Sequence, residues 1–176
     1  MEESLTLIER IIAEHKTIRQ RMQTLEQVAN DVEAIAGLEE TKETFMPGRF
    51  AQHQNLGKLR EDLETIRQGI QEHFEREETA LLAVFEEYGD KELSSKLHSL
   101  LLEHDDLKSR FAQSGKQVDE LAEGGSSRHL WEASANDMRA HLSHTRKLLE
   151  AHAEIEQELL YGLRERLSQK KEKGSL

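Results

Sequence analysis

The sequence predicts an all-α protein folded as an up-down-up-down antiparallel four-helix bundle. Three observations carry this. A single Pro stands among 176 residues rich in Leu, Glu, Ala, Gln and Arg, which are good helix formers. Chain breakers gather in only three places. Between them, apolar residues recur at i, i+3, i+4 and i+7, the spacing of a helix with one buried face. Val and Thr are sparse and nowhere alternate with the period of a strand.

The breakers are Gly37 to Gly48, ending on Met46-Pro47-Gly48, then Tyr88-Gly89-Asp90, then Gly124-Gly125-Ser126-Ser127. They leave four long segments joined by short turns, which makes sequential helices antiparallel neighbours. Segment one carries the stripe Leu5, Ile8, Ile11, Ile12, His15, Ile18, Met22, Leu25 and Val28. Segment two runs from Phe50 through Leu56, Leu59, Leu63, Ile66, Ile70, His73, Phe74, Glu77 and Leu81 to Val84 and Phe85. Segment three carries Leu93, Leu97, Leu100, Leu101, His104, Leu107, Phe111, Val118 and Leu121. Segment four carries Trp131, Met138, His141, Leu142, Thr145, Leu148, Leu149, His152, Ile155, Glu156, Leu159, Leu163 and Leu167. Asp90 and either Ser126 or Ser127 are expected N-caps. The expected bundle covers residues 1–168, with a polar tail over 169–176.

Composition narrows the function. Asp and Glu number 35 against 24 Lys and Arg, a formal net charge of −11, which argues against nucleic acid and anionic membrane as partners. The absence of Cys removes disulfides, thiol catalysis, Cys-ligated zinc and iron–sulfur clusters together. Apolar runs are only a few residues long, so no membrane span is expected. The start, Met1-Glu2-Glu3-Ser4, lacks the basic and apolar regions of a signal peptide, and the cytoplasm is the expected location.

Six polar residues stand on the apolar face. Each stripe contains a His, and segments two and four carry a Glu one turn later. Burying carboxylates without partners is expensive, so something must compensate them. Residues equidistant from a hairpin turn lie at one height. About a first turn near residue 43, His15 mirrors onto roughly residue 71, beside His73. About a second turn near 89 or 90, His73 mirrors onto roughly 106, two from His104. About a third near 125 or 126, His104 mirrors onto roughly 147, five from His152. At ~1.5 Å per residue these offsets amount to a few Å, up to ~8 Å for the last. Four imidazoles and two carboxylates therefore gather at one level of the core. That donor set suits two metal ions better than one, with a carboxylate from each of two helices bridging them at ~3.5–4 Å. Room remains for a bridging oxo or hydroxo group and an open position. Six-coordinate preference favours iron or manganese over tetrahedral zinc, which is left as a possible substitute.

The motifs Glu14-His15, His73-Phe74-Glu75-Arg76-Glu77, Glu103-His104 and His152-Ala153-Glu154-Ile155-Glu156, in this order, resemble the haemerythrin-like (HHE cation-binding) domain family. The resemblance covers about Leu5 to Leu167. It implies a four-helix bundle with a non-haem di-iron site. By the family pattern, His15 and His73 hold one iron, His104 and His152 the other, and Glu77 and Glu156 bridge. The chain departs from the oxygen-carrying haemerythrins, which have His-x-x-x-His in helix three where Lys108 stands here, and Asp five residues after the helix-four His. Four His and two Glu look like the broader HHE group. The expected function is binding or sensing of oxygen, peroxide or nitric oxide. A di-iron enzyme for peroxide breakdown and an iron-sensing or iron-handling module are the alternatives.

The ferritin-like di-iron pattern needs Glu-x-x-His on two helices, and none of the nine His has Glu three residues earlier. His-Glu-x-x-His is absent too, which leaves a zincin-type protease unsupported. Of the other histidines, His141 lies about three turns from His152 and reads as a hydrogen-bonded core residue or a proton relay. His141 with His144 makes at most a weak surface metal clip. His53, His98 and His129 read as surface or turn residues. Glu14, Glu72, Glu78 and Glu103 flank the ligand positions, and one of them could orient an imidazole. Lys108 is expected to snorkel outward. Phe74, Phe111, Leu101 and Leu149 are expected to line the pocket.

Overall fold

The first segment forms one unbroken helix, α1 (Glu2–Leu38), with Glu2 and Glu3 in its first turn, where the helix dipole favours negative charge. In the computed structural model residues 1–38, 51–125 and 127–173 are described, with side chains over 1–30, 56–125 and 127–173. The expected stop at Met46-Pro47-Gly48, the apolar start at Phe50, and Ser126 lie outside the described residues.

Segment two is α2 (Ala51–Arg76), continued without a break by a π turn (Glu77–Leu81) and then by α3 (Leu82–Tyr88). Gly89 ends it. Its N–H donates to the Phe85 carbonyl at 2.8 Å, and the Ser94 hydroxyl donates to the same oxygen at 3.0 Å. Segment three divides at Leu102 into α4 (Lys91–Leu101) and α5 (Glu103–Glu123). Asp90 is the expected cap of α4 and accepts the Leu93 N–H at 2.8 Å. Segment four is α6 (Arg128–Lys173), with Ser127 Oγ 3.4 Å from the Leu130 N–H. The helix thus continues past residue 168. Lys170, Lys171 and Lys173 fill its last turn, where cations suit the dipole.

Helix α1 packs on α2 and α6, and α5 also packs on α2 and α6. Along these seams, residue numbers rise on one helix as they fall on the other. Arg164 reaches Glu9, Arg146 reaches Glu26 and Arg139 reaches Asn30 between α6 and α1. Arg60 pairs with Asp119, and His104 with Glu78. The Trp131 indole donates to the Leu121 carbonyl at 3.0 Å, pinning the third turn.

The apolar stripes do not merge into one core. One block gathers Met22, Leu25, Leu63, Phe74, Phe111, Trp131, Met138 and Leu149, among others. The second gathers Ile8, Ile11, Leu81, Phe85, Leu97, Leu160 and Leu163. The buried polar residues His15, His73, Glu77, His104, His152 and Glu156 form the layer between them.

Candidate metal centre

Each of the six residues sits where helical periodicity puts its neighbours into the core, so each is carried inward with them. Glu77, His104 and Glu156 are 0 % exposed, and even His15, the least buried, is only 7 % exposed. The sequence expectation that all six meet is met in space. His73 Nε2 lies 2.5 Å from Glu77 Oε1, and His15 Nε2 lies 3.4 Å from the same oxygen. His15 Nε2 is also 3.2 Å from Glu156 Oε2. Across the layer, His104 Nε2 is 3.1 Å from Glu77 Oε2 and 3.1 Å from His152 Nε2. The five-residue offset between His104 and His152 is absorbed by the reach of the two rings.

Two overlapping groups result. His15, His73, Glu77 and Glu156 present ligand atoms within 4.8 Å of one another, and so do Glu77, His104 and His152. Glu77 belongs to both. Glu156 belongs to the first and approaches the second, with Oε2 3.9 Å from His152 Nε2.

Several of these atoms lie close without being aligned to hydrogen-bond. Both Glu156 oxygens and Glu77 Oε2 are buried without a hydrogen-bond donor. A carboxylate buried in that state is costly by several kcal/mol. A cation at the point on which the lone pairs converge would compensate both. The donor set of imidazole nitrogens and carboxylate oxygens is the kind that borderline-hard first-row ions take, so the residues fit a metal.

Electrostatics point the same way. Burial, and then the Glu77 charge, push the Glu156 carboxyl up to about 7. Burial also acts to raise Glu77, but the His104, His15 and His73 rings that face it prevail and hold it well below the usual carboxylate range. His73 is opposed by burial yet raised to about 9 by Glu14 and Glu77. His15 is raised, against burial, by Glu156 and Glu77. His152 is lowered by burial.

Three imidazoles are gripped on their outer nitrogen. His73 Nδ1 is 2.8 Å from Glu14, His104 Nδ1 is 2.8 Å from Glu78, and His152 Nδ1 is 2.9 Å from Glu103. Each carboxylate reaches a His on a different helix from its own. Glu14 is itself held by Arg10 and Arg76, and although burial would raise it, the bonds from His73 and the two arginines keep it at about 2. The π turn makes consecutive residues serve one ring, Glu77 facing Nε2 of His104 and Glu78 facing Nδ1. Such turns are common at functional sites.

The sequence singled out Glu14, Glu78 and Glu103 as a group from which one could orient an imidazole, and all three do. Glu72, named with them, is exposed. Lys108 lies outside the centre, 3.6 Å from Glu78. His141 is part-buried and bonds through Nε2 to the Arg110 carbonyl at 3.1 Å, as a hydrogen-bonded core residue should. His98, His129 and His144 are exposed, while the side chain of His53 lies outside the described residues. Phe74 stacks on His104 at 3.7 Å between ring centres, and Leu149 lies near His15. Phe111 belongs to the first apolar block, and Leu101 packs against the second.

Comparison with known families decides the identity. The family described as the Hemerythrin HHE cation binding domain matches residues 6–164. This chain belongs to the haemerythrin HHE family. Membership agrees with the all-helical bundle and with the buried His and Glu groups that could hold a metal ion. No curated protein and no solved structure matches the chain. Among the described residues, no helix of this haemerythrin-family protein is long and apolar enough to cross a membrane.

Proposed function

We propose that this protein is a non-haem di-iron protein that binds or senses oxygen, peroxide or nitric oxide. The observation that carries the reading is the convergence of four imidazole nitrogens with two buried carboxylates, three of whose four oxygens lack a hydrogen-bond donor. In this reading His15 and His73 hold one iron and His104 and His152 the other, with Glu77 and Glu156 bridging. The falling and rising contact numbers along the helix seams support an up-down-up-down antiparallel arrangement of the bundle around them. Bound iron would supply redox chemistry and a coordination position for a small ligand. The chain itself supplies the rest. It orients three of the four imidazoles with outer carboxylates and packs an apolar block on either side of the centre. A small-molecule ligand in the cytoplasm, with neither nucleic acid nor membrane as partner, fits the net charge of −11.

The test is metal analysis after anaerobic ferrous reconstitution, joined to visible spectra of the oxidised and azide-treated protein. Two irons per chain, with charge-transfer absorption that azide shifts, are expected. A protein that takes up no metal would overturn the reading. A second reading, iron sensing, is favoured by the burial of Glu77 and Glu156 at 0 % exposure, because metal occupancy then couples directly to folding free energy. A melting temperature that rises steeply with ferrous iron at physiological levels would support it.

A further inference from the structure

The centre has an internal two-fold correspondence. Glu14-His15 of α1 answers to Glu103-His104 of α5, for each Glu grips a His on the next helix: Glu14 grips His73, and Glu103 grips His152. His73 and Glu77 likewise answer to His152 and Glu156, each pair four residues apart on the next helical segment of the bundle. Carried one residue further, the correspondence fails twice.

Glu78 grips the outer nitrogen of His104, but its counterpart is Gln157. The Gln157 amide donates instead to the Tyr161 hydroxyl at 2.5 Å. His15 Nδ1 is left buried with no hydrogen-bond partner. Phe74 stacks flat on His104, with ring planes 6° apart, but its counterpart is Ala153. Where a ring would lie against His15 there is a notch of about 20 Å³, lined by Ile18, Met22, Leu149 and Ala153 together with the charged Arg19, Arg146 and Glu150. That is room for about one water.

From these two breaks we infer that the two metal positions hold their ions unequally, and that the His15–His73 position is the exchangeable one. This rests on the di-metal reading. At the His104–His152 position the outer nitrogen of each ring is held by a carboxylate, which fixes the ring's orientation. At the His15–His73 position only His73 is so held. An imidazole with a free outer nitrogen and space beside it can rotate away from a metal at lower cost. Loss of one outer-shell partner typically weakens metal affinity ~10–100-fold. Ions therefore leave and enter on the His15 side, and the chain passes through a one-metal state in which His104, His152 and Glu77 keep their ion.

The experiment is chelation of the full chain after anaerobic loading with ferrous iron, followed by the colour of a ferrous-specific chelator. Metal analysis before chelation reads the underlying proposal separately, since fewer than two irons per chain would overturn the di-metal reading itself. With two irons bound, release should show two phases of equal amplitude, with rates ~10-fold or more apart. Gln157→Glu supplies the missing carboxylate and should slow the fast phase until it merges with the slow one. Glu78→Gln removes the matching one with little change of shape and should speed the slow phase until it merges with the fast one. Thermal melts of both variants confirm that each is folded. Release of both ions in one phase from the unaltered chain would overturn the inference, and so would two phases that neither substitution moves.

Discussion

Glu156 bears the heaviest electrostatic load of any residue in the centre, since both of its oxygens are buried without donors and the charged Glu77 lies in the same layer. Its folded carboxyl is raised from 4.5 to about 7. The unfolded chain therefore releases this proton first, and stability falls as pH rises from 4.5 towards 7. Glu156→Gln removes that penalty while keeping the shape. In chelator the variant should melt several degrees above the unaltered chain at pH 8, and after iron loading it should melt below it. Melts in both conditions at one pH check the crossover. The six central residues were legible because each breaks the amphipathic rule at a position where the helical period demands an apolar side chain. Their outer carboxylates were less so. Glu14, Glu78 and Glu103 sit on partly exposed faces where glutamate is ordinary, and nothing local separates Glu78, which grips a ligand position, from Glu72, which does not. Only the approach of another helix makes the difference, and that is a tertiary fact.

Helix ends and irregularities belong to the next scale. Asp90 caps α4 and also pairs with Arg166 of α6, so it ties the second turn to the far end of the last helix. Asp90→Ala should destabilise the fold through the lost cap, read as a lowered urea midpoint with an unchanged slope. Gly89 is constrained by close approach. A Cβ there would lie 2.5 Å from the Phe85 carbonyl oxygen, which already accepts two hydrogen bonds. Gly89→Ala should therefore destabilise more than Asp90→Ala in the same assay. The second turn and its cap could be read from Tyr88-Gly89-Asp90, because turn residues act locally. The π turn at Glu77–Leu81 could not, since the apolar spacing through Leu81 and Phe85 reads as continuous helix. Nor could the one-residue break at Leu102, since leucine favours helix and the residue keeps helical backbone angles.

For the whole molecule, metal and proton compete for the same atoms. His73 has its folded value raised from 6.5 to about 9, so the stability it lends is complete below pH 6.5 and is lost as pH rises towards 9. His15, raised by Glu156 and Glu77, acts in the same direction, while His152, lowered by burial, acts against it. Glu77 and Glu14 work on the acid side. Both are held low, so their stabilisation is present above 4.5 and is lost as pH falls below it. The chelated protein should be most stable near pH 5–6 and should lose melting temperature on going to pH 9. Metal binding requires neutral imidazole, so iron affinity should rise over the same interval and the loaded protein should not show the alkaline decline. Melting curves at pH 6 and pH 9, with and without iron, check both signs. The fold class followed from breakers and period alone because each helix declares its own buried face. The mirror positions located the height at which the polar residues meet, but the division of one expected core into two apolar blocks emerged only from the packed structure.

That division bears on how the bundle opens. With nothing bound, the polar layer between the Met22–Trp131 block and the Ile8–Leu163 block leaves His15 Nδ1, one Glu77 oxygen and both Glu156 oxygens buried without partners. It is then the plane across which cooperativity is weakest. Amide exchange in chelator should resolve two protected units with separate opening free energies, one around each block. Iron, by tying α1, α2, α5 and α6 together at their middles, should merge the two units, so that amides far from the centre exchange only when the whole chain unfolds.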